Sequence, residues 1–127
     1  MATGEVHADL PHDPATVWSV IADFGGIDRW LPGVTACRLE GDERVLEMAG
    51  MTIRERRLSS DDEARRLVYG ITGGAPVDAH RATITAAPAG DGCRVTWAVE
   101  VTPDEMLPLM LDVYRQGLEA LATHLSG

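Results

Sequence analysis

A chain of 127 residues with 45% hydrophobic content makes one domain, burying roughly two-thirds of its unfolded surface and folding unaided. Its net charge is −9, and all 11 basic side chains are arginines set against 20 acids, which argues against nucleic acid and anionic membrane as partners. No apolar run approaches the ~18 residues of a membrane span and no signal-like start is visible, so the expected location is cytoplasmic.

Val6, Ala8 and Leu10 alternate with Glu5, His7 and Asp9, predicting a half-buried first strand. Asp13 stands where an N-cap belongs, with Pro14 at N1 of a helix whose apolar side is Val17, Trp18, Ile21 and Phe24. Gly25-Gly26 ends that helix, a short second turn carries Ile27 to Trp30, and Pro32-Gly33 closes the pair. From Val34 the hydrophobic period changes from 3.6 to 2. Six strands are predicted over 34–40, 44–49, 51–59, 65–72, 79–87 and 93–101, with short polar or glycine breaks that make them an antiparallel meander. Thr102-Pro103-Asp104-Glu105 has capping-box form ahead of a last helix with Leu107, Leu111, Tyr114, Leu118 and Leu121 along one stripe. Pro108 lies too far inside that helix for comfort, so its first turn is expected to be kinked or separate.

The expected fold class is α+β: a seven-stranded curved antiparallel sheet around a long C-terminal helix, with two short helices between strands 1 and 2. That topology places the first strand between the second and the last. Cys37 and Cys93 then stand about 9–10 Å apart, beyond the ~7 Å reach of a disulfide. Neither cysteine sits near a histidine, and His7, His12, His80 and His124 have no ligand spacing, so no metal and no cofactor is expected.

One pattern points to function. Met51, Ile53, Leu67, Ile71, Ala82, Ile84, Val95, Trp97 and Val99 share the inward phase of the strands, and so do Glu55, Tyr69 and His80. An unpartnered polar group buried there costs roughly 2–7 kcal/mol, which a lined cavity between sheet and helix avoids. Glu55 is a candidate general acid or base with a pKa raised by desolvation, or else half of an ion pair with Arg57 or another arginine. His80 is a candidate proton carrier or a satisfied core histidine. Tyr69 either donates to a ligand oxygen or bonds a carbonyl in the core.

Candidate ligand contacts are Trp30, Ile53, Arg57, Ile71, Ala82, Ile84, Trp97, Met106, Met110, Tyr114 and Gly117. Arg57 is the inward candidate for a ligand carboxylate among the arginines at 54, 56, 57, 65 and 66, a cluster otherwise balanced by Asp61, Asp62 and Glu63. Gly117 in mid-helix costs ~1 kcal/mol against alanine; it either leaves room for a ligand or lets the helix pack closely on the sheet.

The order of these elements, with Ala15 to Phe24, Trp30-Leu31-Pro32-Gly33-Val34, Leu39-Glu40-Gly41, Glu55-Arg56, Asp61-Asp62, Leu67-Val68-Tyr69 and Trp97, resembles the SRPBCC or polyketide cyclase/dehydrase branch of the helix-grip superfamily. That superfamily includes START domains and the birch-pollen allergen. The resemblance spans essentially the whole chain and implies a helix-grip fold. It does not choose among cyclases, lipid carriers and hormone receptors. Glu55 to Gly74 also resembles plant abscisic-acid receptors, in which the glutamate helps hold ligand through water. The lysine with which those receptors anchor a carboxylate falls at Leu31 here, and their gating loop shrinks to Met48-Ala49-Gly50. Relatives often carry an aromatic residue at the position of His80.

Three functions stay open at this level: binding of a hydrophobic polyketide-, lipid- or sterol-like molecule in an internal cavity, a cyclase/aromatase-like enzyme relaying protons through Glu55, Tyr69 or His80, and an interaction domain with a vestigial cavity. A cone-shaped isomerase of the ketosteroid type places its helices first, which the terminal long helix contradicts. The expected partner is a small hydrophobic ligand, with a homodimer left open.

Overall fold

A computed structural model describes residues 1–127. Strand β1 (Ala2–Leu10) leads into helix α1 (Pro14–Ala22) and a 3₁₀ segment, Phe24–Arg29. Six strands follow: β2 (Val34–Glu40), β3 (Glu43–Met48), β4 (Met51–Asp61), β5 (Arg66–Gly73), β6 (Ala79–Ala89) and β7 (Gly92–Thr102). A 3₁₀ turn at Asp104–Met106 precedes the closing helix α2 (Leu107–Ser126). No helix is long and apolar enough to cross a membrane.

The seven strands form one antiparallel sheet in the order β1-β7-β6-β5-β4-β3-β2. This corrects the expectation that β1 lies between β2 and β7. Strands β1 and β2 are the opposite edges of the sheet, and the helical connection occupies the side of β2, where Leu39 packs against Gly25. Cys37 on β2 and Cys93 on β7 are therefore five strand positions apart rather than the expected two, and both are free thiols.

Alternation sets the faces as predicted. Cys93, Val95, Trp97, Val99 and Val101 on β7 are buried, and on β6 so are His80, Ala82, Ile84 and Ala86. In register, Trp97 stands opposite Ile84 and Val6, and Tyr69 opposite Ala82. Met110, Tyr114, Leu118 and Leu121 of α2 close the concave side. The helix crosses β1 at Gly4, where Leu107 and Leu111 take the space a side chain would need.

Local details depart from the capping chemistry expected. Asp13 makes no side-chain cap bond; its carbonyl accepts from the Val17 N–H at 3.0 Å instead. The first helix stops at Ala22, so Gly25 and Gly26 fall inside the 3₁₀ segment. The Thr102–Glu105 box is not made, because Asp104–Met106 turns as a separate 3₁₀ unit and α2 starts at Leu107 with Pro108 in its first turn. Proline is tolerated there because first-turn N–H groups have no intrahelical acceptor.

Candidate functional site

Between α2 and the concave sheet lies a cavity of about 210 Å³. Ile53, Glu55, Tyr69, Ile71 and Trp97 form its sheet wall, while Met106, Leu109, Met110, Val113 and Tyr114 form its helix wall. Ile27, Leu31 and Leu46 close one side. The rim is made by Met48, Ala49, Met51, Ala75 and Pro76, where Ala49, Met51, Pro76 and Leu109 are exposed. The predicted strand face thus does line a space, and the lining is apolar apart from Glu55 and the two phenols.

Glu55 is buried, and its partner is neither solvent nor Arg57. Arg44 stands directly opposite on β3 and donates from Nε to Glu55 Oε1 at 2.8 Å. Its Nη2 comes within 2.7 Å of the same oxygen without hydrogen-bond geometry, leaving that nitrogen without a bonded acceptor. Nη1 donates to the Phe24 carbonyl at 3.1 Å. The guanidinium lies 4.0 Å from the Phe24 ring centroid and 4.9 Å from that of Tyr69, so cation–π contacts replace water around its faces. Both contacts with Glu55 fall on Oε1, and Oε2 has no protein partner. A register shift between Arg54 and Glu55 marks a bulge beside this residue, a device that re-aims side chains near sites.

His80 is buried on the correct face but does not reach the cavity. It stands behind Tyr114: its Nε2 lies 2.8 Å from Tyr114 Oη, and its Nδ1 accepts from the Ile71 N–H at 3.2 Å. Burial pushes its pKa below the ordinary histidine value, against a smaller opposing pull from Glu55. The backbone bond to Nδ1 then fixes the neutral tautomer, with the proton on Nε2 donated to Tyr114.

Tyr69 is held similarly. Trp97 Nε1–H donates to Tyr69 Oη at 3.1 Å, and the Trp97 ring stacks on Tyr114 with centroids 4.3 Å apart and planes 8° from parallel. Burial raises the pKa of both phenols, so both keep their protons.

Several expected contacts lie elsewhere. Trp30 packs against Trp97 at 6.0 Å and is core rather than lining. Ala82 and Ile84 lie in the sealed core, away from the cavity. Arg57 rests 5.4 Å from the Phe24 ring and does not line the cavity. A Cβ on Gly117 would meet Leu31 Cδ1 and Trp97 Cζ3 at 2.8 Å, so that glycine permits close helix–sheet packing and opens no ligand space. Arg54 and Arg56 pair with Glu40, Asp42 and Glu43 rather than with residues 61–63. Asp61 caps its own turn and Asp62 accepts from Trp18 Nε1–H at 2.9 Å.

The sequence reading missed Arg44, because the run Val45-Leu46 after it masks the alternation and a lone arginine reads as solvent-facing. It also missed Ala75 and Pro76 at the rim and the Leu109/Val113 side of α2. The Leu107–Leu111–Leu118 stripe was visible, but which flank of it faces a void is a tertiary property.

The chain matches the model of the family described as polyketide cyclase / dehydrase and lipid transport over residues 1–126. No curated protein matches it. Among solved structures it is similar to XoxI from Bacillus cereus, at 28% identity over 98% of this chain and 96% of that one, with a TM-score of 0.92. A Thermobifida fusca protein is 30% identical, covering 98% and 93% of the two chains, with a TM-score of 0.85. Ara h 8.0201 shares the fold at 14% identity and a TM-score of 0.79, over 98% and 97% of the chains. With residues 1–126 of 127 matched to that model, this chain belongs to the polyketide cyclase/dehydrase and lipid-transport family, and its curved seven-stranded sheet around a long C-terminal helix is the helix-grip fold.

Proposed function

We propose that this protein binds a small, largely apolar molecule between α2 and the concave sheet. The observation that carries the reading is the cavity itself: an apolar wall with a few convergent polar groups is the ordinary composition of a small-molecule site. The family description joins cyclisation chemistry to lipid transport, and both uses require an apolar molecule inside the protein. A volume of about 210 Å³ lies below the roughly 300–1,000 Å³ of drug-sized sites. It suits a one- or two-ring molecule, and a sterol-sized ligand requires the rim to move.

Binding is favoured over turnover. A proton relay through Glu55 requires that carboxylate to become neutral, which strands the Arg44 charge in the interior, an expensive state. His80 touches Tyr114 rather than the cavity, and no nucleophile–base–orienter set lines the wall.

The test is calorimetric titration with the neutral hydrocarbon 2-isopropylnaphthalene, on the natural chain and on Ala75→Trp, which fills the rim. Saturable binding that the indole abolishes is the expected result. Absence of binding to the natural chain, or equal binding to both, removes the cavity from consideration.

A further inference from the structure

The tyrosine end of the cavity floor has more hydrogen-bond donors than acceptors. Tyr69 Oη accepts from Trp97 Nε1–H, and Tyr114 Oη faces the Nε2–H of a histidine whose other nitrogen is already occupied. Each phenol therefore receives a bond from the protein side and still carries its own proton. The one open acceptor on the floor, Glu55 Oε2, makes no hydrogen bond to either phenol. The two phenols converge on Trp97, which bonds Tyr69 and stacks on Tyr114, and a bond between their hydroxyls would use only a single proton. Beyond that, Tyr114 has the thioether of Met110 at 3.8 Å, a weak acceptor. One phenolic O–H is left facing the cavity without a strong partner, and buried donors left in that condition are costly.

The charges around the floor narrow what can satisfy it. No arginine, lysine or histidine lines the cavity, and Leu31 fills one side. Arg44 spends its charge on Glu55 beneath the rings of Phe24 and Tyr69. The single charged lining group is the carboxylate of Glu55, whose Oε2 has no protein partner. An anionic ligand would meet that carboxylate while its only balancing cation, Arg44, is already committed to Glu55 and does not line the cavity. No free positive charge is left to hold a second anion in a poorly solvated space.

We propose that the site selects a neutral ligand bearing a carbonyl or ether-type oxygen, which accepts the surplus phenolic proton of the Tyr69–Tyr114 pair, and that it rejects carboxylates. This rests on the cavity being a binding site and names the class of molecule that it takes. The donors are preset by groups behind them, so little ordering is lost when the oxygen arrives. Desolvated phenols stay protonated, consistent with a donor role across the ordinary pH range.

The test uses three probes of nearly one shape: 2-isopropylnaphthalene, 2-acetonaphthone and 2-naphthoate, titrated calorimetrically at pH 7.5. The ketone is expected to bind about five- to tenfold more tightly than the hydrocarbon, a gain of one well-placed hydrogen bond. The carboxylate is expected to be the weakest of the three. Tyr69→Phe with Tyr114→Phe should erase the ketone's advantage, read as the ratio of ketone to hydrocarbon affinity within that variant falling to about one. A ketone no tighter than the hydrocarbon in the natural chain overturns the donor assignment, and so does a carboxylate that binds best. Those results need no variant to fold. Failure of all three probes sinks the cavity reading beneath it, a result separable from loss of ketone preference alone.

Discussion

Arg44 and Glu55 are cross-strand partners in the β3–β4 register, joined at 2.8 Å in a position where Arg44 is 2% exposed. Neither residue alone is tolerable there. Truncating Glu55 to leucine leaves a guanidinium with only the Phe24 carbonyl and two ring faces, and should cost about 3–5 kcal/mol. The double variant Arg44→Met, Glu55→Leu should recover most of that loss, because an apolar pair has no charge to desolvate. Urea denaturation of the single and double variants checks it; a double variant as unstable as the single one would show that the ion pair is not the source of the cost.

Gly117 gives a second stability prediction, opposite in sign to helix propensity. Alanine should help an exposed mid-helix site by ~1 kcal/mol. Here the new methyl meets Trp97 Cζ3 and Leu31 Cδ1 at 2.8 Å, and overpacking of that kind costs about 1–3 kcal/mol. Gly117→Ala should therefore lower the thermal midpoint, read by circular dichroism. An increase would mean that Leu31 and Trp97 can give way.

His80 predicts a pH dependence. Its folded-state pKa is depressed by burial, so the unfolded chain takes up a proton first as pH falls. Stability is whole above the ordinary histidine value of about 6.5 and is lost progressively below it, toward the depressed folded value. His80→Gln should remove part of the difference in urea midpoint between pH 7.5 and pH 5.5. An unchanged difference would assign the acid sensitivity to other groups.

Trp18 Nε1–H donates to Asp62 across 44 residues of sequence, tying α1 to the β4–β5 turn. Asp62→Ala should cost about 0.5–1.5 kcal/mol, measured as a shift in urea midpoint with unchanged slope. A shift indistinguishable from zero would make that bond a surface ornament.

Much of the fold was legible because alternation is a local property. The phase of Ala82 and Ile84 on β6, and of Val95, Trp97 and Val99 on β7, identified the inner face without knowledge of any neighbour. The same rule put Glu55, Tyr69 and His80 inside, and all three are buried. Their roles were not legible, since role depends on the second residue. Glu55 reads as a lone acid until Arg44 is found opposite it, and His80 reads as a cavity base until Tyr114 is found in front of it. Edge order failed for a related reason: whether β1 meets β2 depends on how the Phe24–Arg29 segment packs, and no periodicity records that.

The contrast between braced floor and unbraced rim has an evolutionary consequence. Tyr69, Tyr114, Trp97, His80 and the Arg44–Glu55 pair hold one another, so a change to any of them propagates to stability. Met51 and Leu109 at the mouth are 39% and 56% exposed, and little leans on them. Descendants of this chain can acquire new tastes by exchanging the lip while the foundations stay put.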